Sequence, residues 1–283
     1  MIDKPEGLSS HDAVSLAKKR LKVKKAGHAG TLDPIATGLL IVCVGEATKI
    51  VRFLADLPKK YLATIKLGER TETFDSEGGV TQTGGVPADE KPILEALSHF
   101  KGAIRQVPPM YSALKVAGKP LYRLARQGVE VEREEREVEI SELELLDYRP
   151  PFARLFIACS KGTYIRTLAD DIGARAGTCA HITGLRRTAI GPFDAADSTG
   201  PEDPDMIAKP ASFLDIDQAL DLLPMKELTV NGENLKKAKN GAPFRTNPGI
   251  SGSVRIKDPE GKLLGIGMAF NGLVRVERLL YLD

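Results

Sequence analysis

Chemistry at a protein site needs a group that can take up or give up charge, on backbone that a substrate can approach. One segment of this 283-residue chain offers both: Gly27-His28-Ala29-Gly30-Thr31-Leu32-Asp33-Pro34-Ile35-Ala36-Thr37-Gly38. Asp33 is its candidate nucleophile or base, and the density of glycine and small residues lets a bulky ligand come close to the main chain. The pair Asp33-Pro34 is also a common way to open a turn or cap a helix, and residue types alone favour that structural role. Other routes to chemistry fail. Four histidines (His11, His28, His99, His181) and three cysteines (Cys43, Cys159, Cys179) make no metal set. Cys179 and His181 are neighbours, but no second ligand pair at zinc spacing supports them. The zinc-deaminase signature is absent. There is no P-loop, and Gly265-Ile266-Gly267 lacks the third glycine of a dinucleotide loop. No nucleophile elbow is present. Chemistry without metal or cofactor is what remains, if the chain does chemistry at all.

The charge pattern narrows the partner. Net charge is only +2, yet residues 18–25 carry six positive charges, residues 130–147 carry nine carboxylates against two arginines, and residues 154–187 are basic again. Basic patches on a near-neutral chain point to a local polyanion site, although each run also fits a solvated element face. No run of apolar residues is long enough for a membrane helix. Neither an apolar export signal nor an even cysteine framework is present, so a reducing cytoplasm is expected.

The elements that must hold Asp33 follow from periodicity. Ser9 to Asp12 has capping-box spacing, and Ala13, Val14, Ala17 and Leu21 follow at helical intervals, which predicts a first helix ending in the basic run. Residues 27–38 read as a loop and residues 39–44 as a buried strand. Residues 61–67 alternate as a strand, 78–88 read as a loop, and 89–100 as a helix carrying Ile93, Leu94, Leu97 and Phe100 on one face. A short helix is expected at 119–127, strands at 138–145 and 152–160, and a helix at 163–176. Residues 194–211, with Pro201, Pro204 and Pro210, read as a surface linker. A helix at 212–223 stops before Pro224. A short helix at 231–240 and strands at 253–257, 263–269 and 273–282 follow, the first two joined by the turn Asp258-Pro259-Glu260-Gly261. The irregular alternation favours an α+β fold, a mixed and largely antiparallel sheet flanked by helices, over a doubly wound one. The division expected is residues 1–223 as one domain and 224–283 as a small β-rich one.

The Asp33 segment resembles the catalytic loop of the TruB family of tRNA pseudouridine synthases, and the resemblance continues in order. Asp3-Lys4-Pro5 with Gly7 and Ser9-Ser10-His11-Asp12 is similar to the family's opening motif. Lys60-Tyr61, Leu67-Gly68, and Thr71, Thr73, Asp75 and Gly78 are similar to its second. Gln106-Val107-Pro108-Pro109-Met110-Tyr111-Ser112-Ala113-Leu114-Lys115, with Tyr122 and Ala125-Arg126, is similar to its third. Lys161 through Ala169 and Leu185-Arg186-Arg187-Thr188 complete a set spanning residues 3–188. The chain starts close to the Lys-Pro motif, so a short first strand is expected. The last 60 residues resemble the family's PUA-like RNA-binding module in layout.

The resemblance implies a pseudouridine synthase fold and cofactor-free isomerisation of the uridine at position 55 in the tRNA T-loop. It implies Asp33 as the catalytic carboxylate, Arg166 as its partner and Tyr61 as the ring on which the flipped base stacks. By the same resemblance, Tyr164 is expected beside Asp33, Leu185 as the cap of the pocket, and His28 as a residue holding the loop or the flipped nucleotide. Lys4 and Pro5 brace the loop, while residues 18–25 and Arg186-Arg187 are candidates for phosphate contacts. The expected partner is the T-arm stem-loop of tRNA, with no membrane and no obligate protein partner, the chain acting as a monomer. An RNA-binding or RNA-folding module with dispensable catalysis is the alternative.

Overall fold

The period-two pattern of Lys59–Leu67 buries Tyr61, Ala63, Ile65 and Leu67 on one face. In the computed structural model, which describes residues 1–112, 114–116, 118–203, 205–206 and 211–280, this strand lies at the middle of an eight-stranded sheet. The order is Ile2–Lys4, Ala36–Leu40, Ala180–Ile190, Lys59–Leu67, Phe152–Cys159, Arg136–Arg149 and Gly102–Gln106, with Phe193–Asp194 paired to Ala180–Ile190. The only parallel pairing among these strands joins Ala180–Ile190 to Ala36–Leu40. This is the mixed, largely antiparallel α+β architecture the sequence predicts. Helices Lys91–Ser98 and Ile165–Arg175 cover the buried face through Ile93, Ala96, Leu97, Leu168, Ala169 and Ile172, which join Tyr61, Ile65 and Ile157 in the main core. Leu94 faces solvent, contrary to its expected place on the buried face.

Helix Ser10–Arg20 begins at the predicted capping box, with Ser9 and Asp12 satisfying each other's backbone N–H groups. Several other expectations need correction. Strand Ala180–Ile190 has no counterpart in the sequence reading, because two bulges, after Ile182 and after Arg187, break its alternation. The apolar run 39–44 is two strands: Ala36–Leu40 belongs to the main sheet, and Val42–Val44 pairs with Ala26–His28. The presumed loop 78–88 contains strand Val80–Thr83, paired with Glu69–Thr71. The described residues of the stretch 194–211 do not form a surface linker. Ala195, Thr199 and Met206 are buried, and the Asp3 N–H donates to the Thr199 carbonyl at 2.8 Å. Pro204 and Pro210, like Ala113, Tyr281 and Leu282, lie outside the described residues.

A second sheet, ordered Lys226–Thr229, Gly252–Lys257, Leu263–Phe270, Leu273–Leu279 and Phe244–Arg245, occupies the C-terminal part. It has its own cluster around Val230, Phe244, Val254, Ile256 and Val274. Leu263, Ile266 and Leu280 instead join a cluster with Leu39, Ile41 and Leu54. No helix among the described residues is long and apolar enough to cross a membrane.

Candidate active site

The Asp33 turn is tied down on every side. The Ser10 hydroxyl donates to the Leu32 carbonyl at 3.0 Å and accepts from the Leu32 N–H at 2.7 Å. The Lys4 ammonium donates to the carbonyls of Pro5, Leu8 and Pro34, at 2.8, 2.6 and 3.2 Å. Lys4 thus braces the loop as expected. Arg187 is buried and donates to the carbonyls of Leu39 at 2.7 Å, Gly30 at 3.1 Å and Thr31 at 3.4 Å. Its guanidinium is spent inside the protein, so it is not the phosphate contact proposed from sequence. Arg186 forks onto the Asp3 carboxylate at 3.0 and 2.7 Å.

With its backbone fixed, Asp33 keeps 36% of its side chain exposed, and its Oδ2 lies 2.9 Å from Arg166 Nε. Arg166 is buried on helix Ile165–Arg175 and is committed on all sides. Its Nη1 donates to the Thr73 carbonyl at 3.0 Å and faces Asp75 Oδ2 at 3.3 Å, and its Nη2 donates to the Tyr111 carbonyl at 2.6 Å. Burial raises the Asp33 carboxyl pKa above the usual range, the Arg166 charge opposes that rise, and the Asp75 charge adds to it. Asp75 is buried and accepts from the Thr73 hydroxyl and from the Glu77 N–H.

A cavity of about 260 Å³ opens beside this ion pair, lined by Asp33, Tyr61, Tyr164, Arg166 and Leu185 together with Lys59 and Arg187. Five of the six residues singled out from sequence therefore meet in one place, although they come from both halves of the chain. A family model described as TruB family pseudouridylate synthase, N-terminal domain, matches residues 18–165, and one described as tRNA pseudouridylate synthase B C-terminal domain matches residues 166–203. The chain is 44% identical over 287 residues to the tRNA pseudouridine synthase B of Haemophilus influenzae strain PittEE, covering 99% of this chain and 94% of that protein. It is 45% identical over 295 residues to the protein of the same name in Burkholderia pseudomallei strain 668, covering 99% and 95%.

The chain belongs to the TruB family of pseudouridylate synthases.

As a TruB-family member it is an enzyme, and solved structures carry the same fold. The Cbf5 chain of a Cbf5–Nop10–Gar1 complex superposes with a TM-score of 0.75 at 27% identity, covering 98% of this chain and 83% of that one. A chain of an H/ACA RNP bound to a substrate RNA containing 2′-deoxyuridine gives 0.73 at 25% identity, covering 99% and 84%.

His28 does not line the cavity of this TruB-family protein that holds Tyr61. It lines a second one of about 460 Å³, which shares Asp33, Arg166 and Ser112 with the first and adds Glu77, Tyr122 and Arg126. Among the described residues, His28 Nδ1 and the Ser112 hydroxyl are buried with no hydrogen-bond partner. Burial pulls the His28 pKa down, which favours the neutral ring. Two residues carry more than their sequence signal gave them. Asp75 stood in a matched motif without a role, yet it is the second carboxylate on Arg166. Gln106 clamps Tyr164, its carboxamide accepting from the Tyr164 N–H at 3.0 Å and donating to the Tyr164 carbonyl at 3.3 Å. Tyr164 is the N-cap of the Arg166 helix and has no side-chain capping bond of its own. A glutamine at a strand end carries no sequence signal for that job.

Proposed function

We propose that this chain isomerises the uridine at position 55 of the tRNA T-loop to pseudouridine, with Asp33 as the catalytic carboxylate and no cofactor. The observation that carries this reading is the Asp33–Arg166 ion pair at 2.9 Å on the wall of a cavity lined by Tyr61 and Leu185. The names of the relatives at about 44% identity support tRNA as the substrate.

The uracil must leave the RNA stack before its C1′–N1 bond can be reached. Extrusion costs a few kcal/mol, and stacking a base on an aromatic ring returns about 1–3 kcal/mol. Tyr61 provides that ring, Leu185 covers the base, and Tyr164 lies against the reacting nucleoside. His28 faces the adjoining cavity and holds the loop or its displaced neighbour. Asp33 must be ionised to act, and the Arg166 guanidinium opposes the protonation that burial favours. The reaction is intramolecular and redox-neutral, so it draws on no electron or group carrier. Residues 1–223 form the catalytic unit and 224–283 the RNA-binding module. The protein works in the cytoplasm as a monomer, without an obligate protein partner.

The test uses purified protein and an unmodified tRNA transcript. Wild type converts the uridine, whereas Asp33→Asn, which keeps shape and loses charge, is inactive with RNA affinity within about tenfold of wild type. Appreciable turnover by the asparagine variant would refute the assignment.

A further inference from the structure

Two more cations line the Tyr61 cavity. Lys59 is 6% exposed and Arg187 is 1% exposed. A charge taken out of water needs compensation, and here it comes from carbonyl oxygens and, for Arg187, from the Tyr61 hydroxyl as well. Arg187 donates to Leu39, Gly30 and Thr31, and the Lys59 ammonium donates to the carbonyls of Ala55 and Leu57. An ammonium has a third N–H. Among the described residues, no carboxylate pairs with either cation, and Asp56 is engaged by Lys161 at 2.8 Å. The two cations converge on one glycine: a methyl group at Gly30 would meet Arg187 Nη1 at 3.5 Å and Lys59 Cε at 4.0 Å. Burial first, and the Arg187 charge second, bring the Lys59 pKa down to about 8. The cavity therefore presents desolvated positive charge beside the ring of Tyr61.

An electron-rich ligand would answer that charge, and the proposed reaction, on which this inference rests, produces one. When the C1′–N1 bond breaks, its electron pair passes to the uracil and spreads over N1, O2 and O4. The Asp33 carboxylate meets the deficit at C1′, by bonding there or by taking the C2′ proton. If a nucleophile adds to the ring first, the charge appears instead as an enolate on C5 and O4. Either way the ring is neutral on arrival and anionic before C5 bonds to C1′. As C5 bonds to C1′ the Asp33–C1′ bond breaks, or the C2′ proton returns from Asp33, and any group added to the ring departs; the C5 proton then leaves, N1 gains one, and the product is an isomer of the substrate. A cation against the ring oxygens favours the anionic ring over the neutral one, which raises rate rather than affinity.

We propose that Lys59 is a further catalytic residue of this enzyme, placing its free N–H on a uracil oxygen and stabilising the negative charge the ring carries between the two bonding steps. Arg187, beside it, is occupied by the carbonyls of Gly30 and Thr31.

The experiment compares wild type, Lys59→Met and Lys59→Arg in single-turnover reactions on a T-arm stem-loop, with uridine or the more acidic 5-fluorouridine at the target. Lys59→Met should slow uridine conversion by about 100-fold with RNA affinity within about threefold. Its deficit in glycosidic cleavage should shrink to about tenfold or less on 5-fluorouridine, whose ring carries the charge unaided. The wild-type rate should fall as pH rises through about 8, where Lys59 loses its proton. That limb should be missing from the methionine variant and displaced upward in the arginine variant. Near-wild-type rates for Lys59→Met overturn the proposal, as do equal deficits on both substrates, which would make Lys59 only a brace for Ala55 and Leu57. Should the methionine variant not fold, an arginine variant that keeps its limb near 8 overturns it as well. Failure of wild type to convert uridine is a different result, because it sinks the underlying function and not Lys59 alone.

Discussion

Burial, one guanidinium and one neighbouring carboxylate decide when Asp33 is ionised. Burial raises its pKa, Arg166 opposes that rise, and Asp75 adds to it. A raised carboxyl pKa means that activity depending on the ionised form is lost as pH falls through that raised value, earlier than for a free aspartate. Asp75→Asn removes a like charge, so the acid limb of the single-turnover rate should move to lower pH. Arg166→Gln removes the opposing charge, so the limb should move up by about 1–3 units. Unmoved limbs in both variants would show that the group titrating is not Asp33. At this scale the sequence was informative in part. Gly30 and Asp33 stand close together in one segment, but residue types alone favoured a plain turn. Arg166 and Tyr61 came from motif resemblance. Nothing in spacing announces that Arg166 reaches across to Asp33 while also holding Asp75 and the Tyr111 carbonyl.

At the scale of elements, the turn holding Asp33 is set by one close approach. Strand Ala36–Leu40 runs parallel to Ala180–Ile190 with Gly38 opposite Arg187. Gly38 has φ +97°, and a Cβ there would lie 2.3 Å from the Arg187 carbonyl oxygen. Backbone on both sides leaves no room to give. Gly38→Ala should therefore cost about 4 kcal/mol or more in denaturant unfolding. Gly102 also has positive φ, +87°, and among the described residues nothing lies within 4 Å of where a Cβ would sit. Gly102→Ala should cost only the left-handed strain of about 1–2 kcal/mol. Equal losses would mean that packing against Arg187 is irrelevant. The same pair of strands explains what the sequence hid. Elements with clean periodicity, such as Lys59–Leu67 and helix Ile165–Arg175, were readable. Ala180–Ile190 was not, because its bulges re-aim side chains and it carries Arg186 and Arg187, one paired to Asp3 and one buried on carbonyls.

Across the whole molecule, the C-terminal sheet is attached in two different ways. One is ionic: Arg255 meets Asp221 at 2.6 Å and Asp217 at 3.4 Å, and Lys257 meets Asp217 at 2.8 Å. Lys49 also donates to the Leu279 carbonyl at 2.9 Å. The other is apolar, with Leu263, Ile266 and Leu280 sharing a cluster with Leu39, Ile41 and Leu54. Asp217 and Asp221 are exposed to solvent, so salt screens their pairs and they are worth about 1 kcal/mol or less each. Ile266 is fully buried, and truncating such a side chain costs about 2–5 kcal/mol. The apolar contact should therefore dominate. Ile266→Ala should speed hydrogen exchange in Leu263–Phe270, Leu273–Leu279 and helix Ile216–Asp221, leaving Lys59–Leu67 and Phe152–Cys159 protected. Raising salt alone should not. If exchange rises equally in Lys59–Leu67, the two sheets unfold as one unit, and 224–283 is then an extension of the catalytic core rather than a module hung on its side.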